Sequence, residues 1–194
     1  MSAIPKTLLT PEQYLARERQ AEFKSEYYRG EMFAMAGALF PHNRAKENLA
    51  RKIGNQLETG PCDVVSSDQR VKIPATGLYT YPDIVIYCGE PEFDDDADTL
   101  LNPVAIVEVL SESTEKYDRG IKSSHYRRVP SLLEYVLVAQ DRMHVERYVR
   151  QTDGNWLLTE YDQPEQALEF TSVPVRVPLA EIYRDVPLSE SSIR

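Results

Sequence analysis

With 194 residues, 42% of them hydrophobic, the chain can bury a sizeable core and is expected to form one domain over residues 1–194, with residues 1–8 and 187–194 as frayed ends. No apolar run reaches bilayer length and no basic start precedes an apolar block, so a cytoplasmic protein without membrane span or signal peptide is expected. A net charge of −9 counts against a broad, sequence-independent grip on nucleic acid, but not against a local basic groove.

In chain order, Thr10-Pro11-Glu12-Gln13 opens a helix that should run to about Ala21: Thr10 suits the N-cap, Pro11 the first turn, and Gln13 completes a capping box. Arg29-Gly30 separates two short aromatic runs and reads as a hairpin turn. A second helix is expected over residues 43–58, with Ala45, Leu49, Ile53 and Leu57 as its apolar stripe. His42, at its start, fits a capping or solvent-exposed role. The segment CDVVSSDQRVKIP reads as one bent strand or two short ones, and YPDIVIY as a strand. Residues 89–103 form an acidic stretch without periodicity. VAIVEVLS is apolar on both faces except for Glu108, as in a central strand covered on both sides. A helix over residues 118–128 should end before Pro130, followed by the strand LLEYVLVA and an antiparallel extension that turns at Asp153-Gly154. The order predicts an α/β (α+β) fold with a mixed sheet. Cys62 and Cys88 are too few for a disulfide framework, so reduced buried thiols are the default.

Residues 79–128 hold the groups that bear chemistry. Asp83 follows a proline and precedes four apolar residues; its plain role is a strand-end acid that accepts backbone N–H bonds. Glu108 is the sharper signal, because a glutamate inside an apolar strand must be paired or bound to something; its plain role is an ion pair with an arginine. Lys122 shares a helix face with Asp118 and Tyr126, and its plain role is a surface pair with Asp118. Two carboxylates with a lysine suit a hard divalent cation, which takes oxygen ligands and promotes phosphodiester hydrolysis. No glycine-rich phosphate loop and no serine-hydrolase elbow is present, and His42, His125 and His144 lack metal-ligand spacing.

LTPEQYL, SEYYRGE, FPHNRAKENL, YPDIVIY and IVEVLSESTEKYDRGIKSSHY follow one another in order. Together they resemble the Uma-type putative restriction endonuclease family of the PD-(D/E)XK nuclease superfamily, over about residues 9–187. The SEYYRGE hairpin matches at Glu26, Gly30 and Glu31, and the longest segment at Glu108, Ser111, Asp118, Gly120, Lys122 and Tyr126, among others. The resemblance implies a restriction-endonuclease-like αβββαβ core with an N-terminal helix and hairpin and a C-terminal antiparallel extension. It implies Asp83 and Glu108 as ligands for Mg²⁺, or Mn²⁺, with Lys122 catalytic and Glu26 as an added acid. The superfamily's lysine stands two residues after the glutamate, where this chain has Leu110, so the lysine is expected to be displaced onto the following helix. The function implied is a Mg²⁺-dependent DNA endonuclease, with homodimerisation expected if it cuts both strands. The charge of −9 and Leu110 support a different expectation, a catalytically inactive nuclease-fold interaction protein. A third is a metal-dependent hydrolase of small phosphorylated molecules, which would have a narrow enclosed pocket.

Overall fold

The computed structural model describes residues 8–94 and 98–189. Residues 1–7 and 190–194 of the expected frayed ends, and 95–97 of the acidic stretch, lie outside the described residues.

The first helix, α1 (Pro11–Glu18), carries the full capping box: the Gln13 N–H donates to Thr10 Oγ1 at 3.3 Å and the Thr10 N–H to Gln13 Oε1 at 3.0 Å. It stops short of Ala21 because Glu18 turns inward, where its Oε1 accepts the Ser25 N–H at 2.8 Å. Strands β1 (Ser25–Tyr28) and β2 (Glu31–Ala34) form the expected hairpin. Arg29 and Gly30 both have positive φ, 48° and 88°, the twist a two-residue turn needs between antiparallel strands. Helix α2 (Phe40–Leu57) starts before Asn43, with Pro41 in its first turn, where its missing N–H costs nothing.

Strands β3 (Cys62–Ser66), β4 (Arg70–Ile73), β5 (Leu78–Thr80), β6 (Ile84–Cys88), β7 (Thr99–Leu100) and β8 (Pro103–Leu110) follow. CDVVSSDQRVKIP is two strands, β3 and β4, which enter different sheets. The acidic stretch is not structureless: β7 pairs parallel with β4, and Phe93 bridges to Leu100. The helix expected over 118–128 is broken into α3 (Glu115–Tyr117), a π turn (Asp118–Lys122) and α4 (Ser123–Tyr126). Strands β9 (Glu134–Ala139), β10 (Val145–Arg150), β11 (Trp156–Tyr161), β12 (Ala167–Glu169) and β13 (Arg176–Pro178), then helix α5 (Leu179–Ile182), complete the chain. At its end Leu188 packs on the core and the Ser189 N–H donates to Asp141 O at 2.9 Å.

Six strands form the main sheet, in the order β11-β10-β9-β8-β6-β3. Adjacent pairs are antiparallel except β8 and β9, which run parallel because the broken helix crosses between them. Along the chain, α2, β3, β6, β8, the broken helix and β9 give the αβββαβ order. The hairpin belongs to a second sheet, β2-β1-β5-β4-β7.

Strand β8 is covered on both faces, as its apolar run requires. Ala105, Val107 and Val109 pack with Ala45, Leu49, Ile53 and Leu57 of α2. Ile106 and Leu110 point the other way, among Tyr126, Val129, Leu132 and Tyr135. Leu49 is fully enclosed, so Leu49→Ala would cost roughly 3 kcal/mol. Glu108 lies on the same face as Ile106 and Leu110, an apolar setting that its partners must offset.

The expectation of reduced thiols is corrected: Cys62 and Cys88 form a disulfide. They stand directly opposite each other in the β3–β6 register, a juxtaposition that 26 residues of separation hide in the sequence. Among the described residues, no helix is long and apolar enough to cross a membrane.

Candidate active site

Strand pairing brings the two acids together. Ile84 is opposite Val107 in the β6–β8 register, and one step further along the same register Asp83 meets Glu108. The Asp83 N–H donates to Glu108 Oε2 at 3.3 Å, and the Val109 N–H donates to Asp83 Oδ2 at 2.8 Å. Asp83 therefore does accept a backbone N–H, as its plain role predicts, while standing beside a second carboxylate.

The broken helix supplies the lysine. Within the π turn, Asp118 and Lys122 are buried while Ile121 is exposed. A π turn adds backbone to one helical turn and re-aims the side chains after it. Lys122 Nζ lies 2.8 Å from Glu108 Oε1, 3.3 Å from Glu26 Oε1 and 3.6 Å from Asp118 Oδ1. The surface Asp118–Lys122 pair is thus corrected: both are buried, at 3% and 4% exposure, and the lysine's shortest link is to Glu108. Glu108's partner is a lysine rather than an arginine, because the helix packed on its face supplies one. Leu110, in the superfamily's lysine position, is buried in the apolar cluster.

Glu26 belongs to this cluster through Lys122. The Tyr117 hydroxyl donates to Glu26 Oε2 at 2.8 Å and the Thr80 hydroxyl donates to Oε1. With both oxygens engaged, Glu26 ties the hairpin to the broken helix. The Tyr126 hydroxyl donates to Glu108 Oε1 at 2.7 Å.

The sequence reading missed His42. It is buried rather than exposed, with Nε2 3.2 Å from Asp83 Oδ2 and, among the described residues, no hydrogen-bond partner for Nδ1. The docking of α2 brings it there; its neighbours in sequence carry no sign of the contact.

Burial dominates the electrostatics. It pushes Glu108 up to about 8, against the pull of Lys122, with Asp118 and Asp83 pushing further in the same direction. Asp118 is raised as well, again chiefly by burial. Burial disfavours the charged lysine, yet Glu108, Glu26 and Asp118 outweigh it and hold Lys122 above the ordinary lysine value. One ammonium thus faces three carboxylates, and the surplus negative charge is relieved by protons or by another cation.

The donor set fits a hard divalent cation. Among the described residues Asp83 Oδ1 has no hydrogen-bond partner, and Glu108 Oε2 has only the long contact to the Asp83 N–H. Asp83 is partly open to solvent while Glu108 is not. One or two carboxylates with waters suffice for Mg²⁺. A second group, His144, Glu146 and Glu160, has ligand atoms within 4.8 Å of one another. There Arg119 already occupies Glu146 Oε1 and the Tyr148 hydroxyl donates to Oε2, so it reads as an ion-pair network.

The αβββαβ order and mixed sheet are those of a restriction-endonuclease-like fold. The family model for the Uma2 putative restriction endonucleases matches residues 11–180, and the chain belongs to that family. Two uncharacterized proteins of Synechocystis sp. are similar to it. One, sll1609, is 37% identical over 169 residues, covering 87% of this chain and 96% of its own length. The other, slr1290, is 35% identical over 176 residues, covering 91% and 92%. A crystal structure of a putative nuclease belonging to DUF820 from Anabaena variabilis has the same fold, with a TM-score of 0.72 at 17% identity, covering 90% of this chain and 97% of that one.

Proposed function

We propose that this chain is a divalent-metal-dependent nuclease that hydrolyses phosphodiester bonds in DNA, with Asp83 and Glu108 as ligands for Mg²⁺ or Mn²⁺ and Lys122 as the catalytic cation. The observation that carries this reading is the meeting of Asp83 and Glu108 across β6 and β8, with Lys122 Nζ 2.8 Å from Glu108. When bound, the metal supplies a polarised phosphoryl oxygen and an acidified water.

The protein's own groups set the geometry for that chemistry. The Val109 N–H and His42 hold Asp83 Oδ2 and leave Oδ1 for the cation. Tyr126 and Lys122 hold Glu108 Oε1 and leave Oε2. Lys122 keeps a positive charge beside the place where negative charge grows on the phosphate, in a setting with little water to screen it. Glu26 and Asp118 fix the ammonium there.

The test is plasmid and oligonucleotide cleavage with Mg²⁺ or Mn²⁺ by wild type, Asp83→Ala, Glu108→Ala and Lys122→Met. Each variant is expected to lose at least about a hundredfold in rate, the scale seen when one electrostatic stabiliser is removed. Folded wild type that neither binds a divalent cation in calorimetry nor cuts DNA would sink the reading in favour of a non-catalytic interaction protein, to which the buried Leu110 would then point.

A further inference from the structure

The elements that deliver the site's polar groups also carry large apolar side chains exposed to solvent. Phe23, Phe33, Leu39, Phe40 and Ile121 are between 48% and 75% exposed. Phe33 is directly opposite Glu26 in the hairpin, so both side chains leave the same face. Phe23 precedes Lys24, whose Nζ donates to Ser67 O at 2.8 Å, and the Ser67 N–H donates to Asp83 O at 3.1 Å. Leu39 and Phe40 stand at the start of α2, just before His42. Ile121 precedes Lys122 in the π turn. Exposed apolar side chains are ordinary when scattered singly, but several on the segments around one site suggest a binding surface.

The same surroundings hold the local positive charge. Lys46, one helical turn after His42, donates to Ser67 Oγ at 2.6 Å. Beyond Glu26, the Arg29 guanidinium lies over the Tyr28 ring at 5.0 Å and His125 meets that ring edge-on at 4.8 Å. Burial first, then the charges of Arg128 and Arg29, hold His125 below the ordinary histidine value. Acidic residues collect at the far end of β6, where Asp63 and Glu90 lie near Tyr87. The positive groups are partly neutralised, since Lys24 also meets Asp68 and Lys46 meets Glu47. A ligand that relied on phosphate contacts alone would be held weakly.

Resting on the nuclease reading above, we propose that this apolar rim stacks on unpaired nucleobases, so that the substrate is single-stranded or locally opened DNA rather than intact duplex. In a duplex the base faces are buried in the stack and phosphates form the outer surface, which offers phenylalanine nothing to cover. In an unpaired strand each base has an open face, and aromatic stacking needs no sequence and little charge.

Fluorescence anisotropy in EDTA separates binding from cleavage, using a labelled oligodeoxynucleotide alone and as its duplex. The wild type is expected to hold the single strand at least about tenfold more tightly than the duplex. Phe33→Leu with Phe40→Leu, apolar but without rings, should weaken single-strand binding about tenfold, while Phe33→Tyr with Phe40→Tyr should retain it. Duplex binding and thermal stability should not change, because both residues are exposed. Equal affinity for strand and duplex overturns the proposal. So does a ring-independent affinity, or a light-scattering mass showing that the leucine variant only breaks a dimer. Cleavage of intact duplex as fast as of a bubbled one overturns it too and leaves the nuclease reading standing. Absence of all cleavage with ring-dependent binding intact overturns the nuclease reading alone.

Discussion

Two buried cations, Arg70 and Lys122, are built into the molecule with opposite electrostatic outcomes. Around Arg70 the hydrogen bonds close on one another. Its Nε donates to Thr99 Oγ1 at 2.9 Å, Nη1 to the Tyr81 hydroxyl at 2.8 Å, and Nη2 lies 2.7 Å from Asp98 Oδ1. The Tyr81 hydroxyl donates to Glu18 Oε1 at 3.0 Å, and Arg19 adds a second cation to Asp98 at 2.9 Å. Burial would push Asp98 up, but hydrogen bonds from Arg19 and Arg70 hold it well below the usual carboxylate range. Around Lys122 the acids outnumber the cation, and burial drives Glu108 and Asp118 up. The first network sets its cations directly against its acids and acts as structure. The second keeps unmet demand for positive charge next to a partly open carboxylate, the setting on which the proposed metal site rests.

Removing each cation tests that contrast with the largest expected effect. Arg70→Met removes the polar contacts to Thr99, Tyr81 and Asp98 and should cost about 3 kcal/mol in urea unfolding, roughly 1 kcal/mol for each contact. Lys122→Met should cost a similar amount at pH 8 but recover much of it on acidification to pH 5, because protons can discharge the acids it strands. If Arg70→Met recovers in acid as well, the distinction between the two clusters fails.

Wild-type stability against pH sharpens the same contrast with a smaller effect. Burial pushes Glu108 up to about 8 in the folded protein, from the ordinary glutamate value of 4.5 that it has when unfolded. Between those values the folded state holds the extra proton, so the stabilisation is full below about pH 4.5 and is lost as pH rises towards 8. The loss in the metal-free protein should be about 1.4 kcal/mol at most for each pH unit across that window, absent in Glu108→Gln and reduced by Mg²⁺. Asp98 has the opposite sign: its contribution is present above its unfolded value of 3.8 and disappears as pH falls through its lower folded value. Calorimetric Tm values across pH 3–8, with Asp98→Asn and Glu108→Gln, separate the two.

Much of this contrast could be read from the sequence where neighbours in sequence are also neighbours in space. The Ala45, Leu49, Ile53 and Leu57 stripe is buried against the sheet, Thr10 caps α1, and Arg29-Gly30 turns the hairpin. Glu108 stood out because an acid in an apolar strand has few explanations. What escaped depends on docking. His42 reaches Asp83 only because α2 lies across the sheet end, and Cys62 meets Cys88 only through strand register. The π turn escaped because the spacing of Asp118, Lys122 and Tyr126 suits an ordinary helix equally well. Arg70 escaped because its partners come from two other segments, at Tyr81 and at Asp98-Thr99.

The smallest of the expected effects isolates Tyr126. Its hydroxyl is buried and donates to Glu108 Oε1, the oxygen that Lys122 also contacts. Tyr126→Phe keeps the ring against Tyr135 and removes only that donor, so packing is preserved. Removing one hydrogen bond to a charged acceptor should cost about 1.5 kcal/mol. The loss should be larger at pH 8, where Glu108 is more ionised, than at pH 5, where its proton weakens the demand for a donor. Metal affinity should fall only modestly, because Oε2 and Asp83 Oδ1 are untouched. A loss equal at both pH values would mean that Tyr126 supports the core alone and that Glu108 is not held near its titration point.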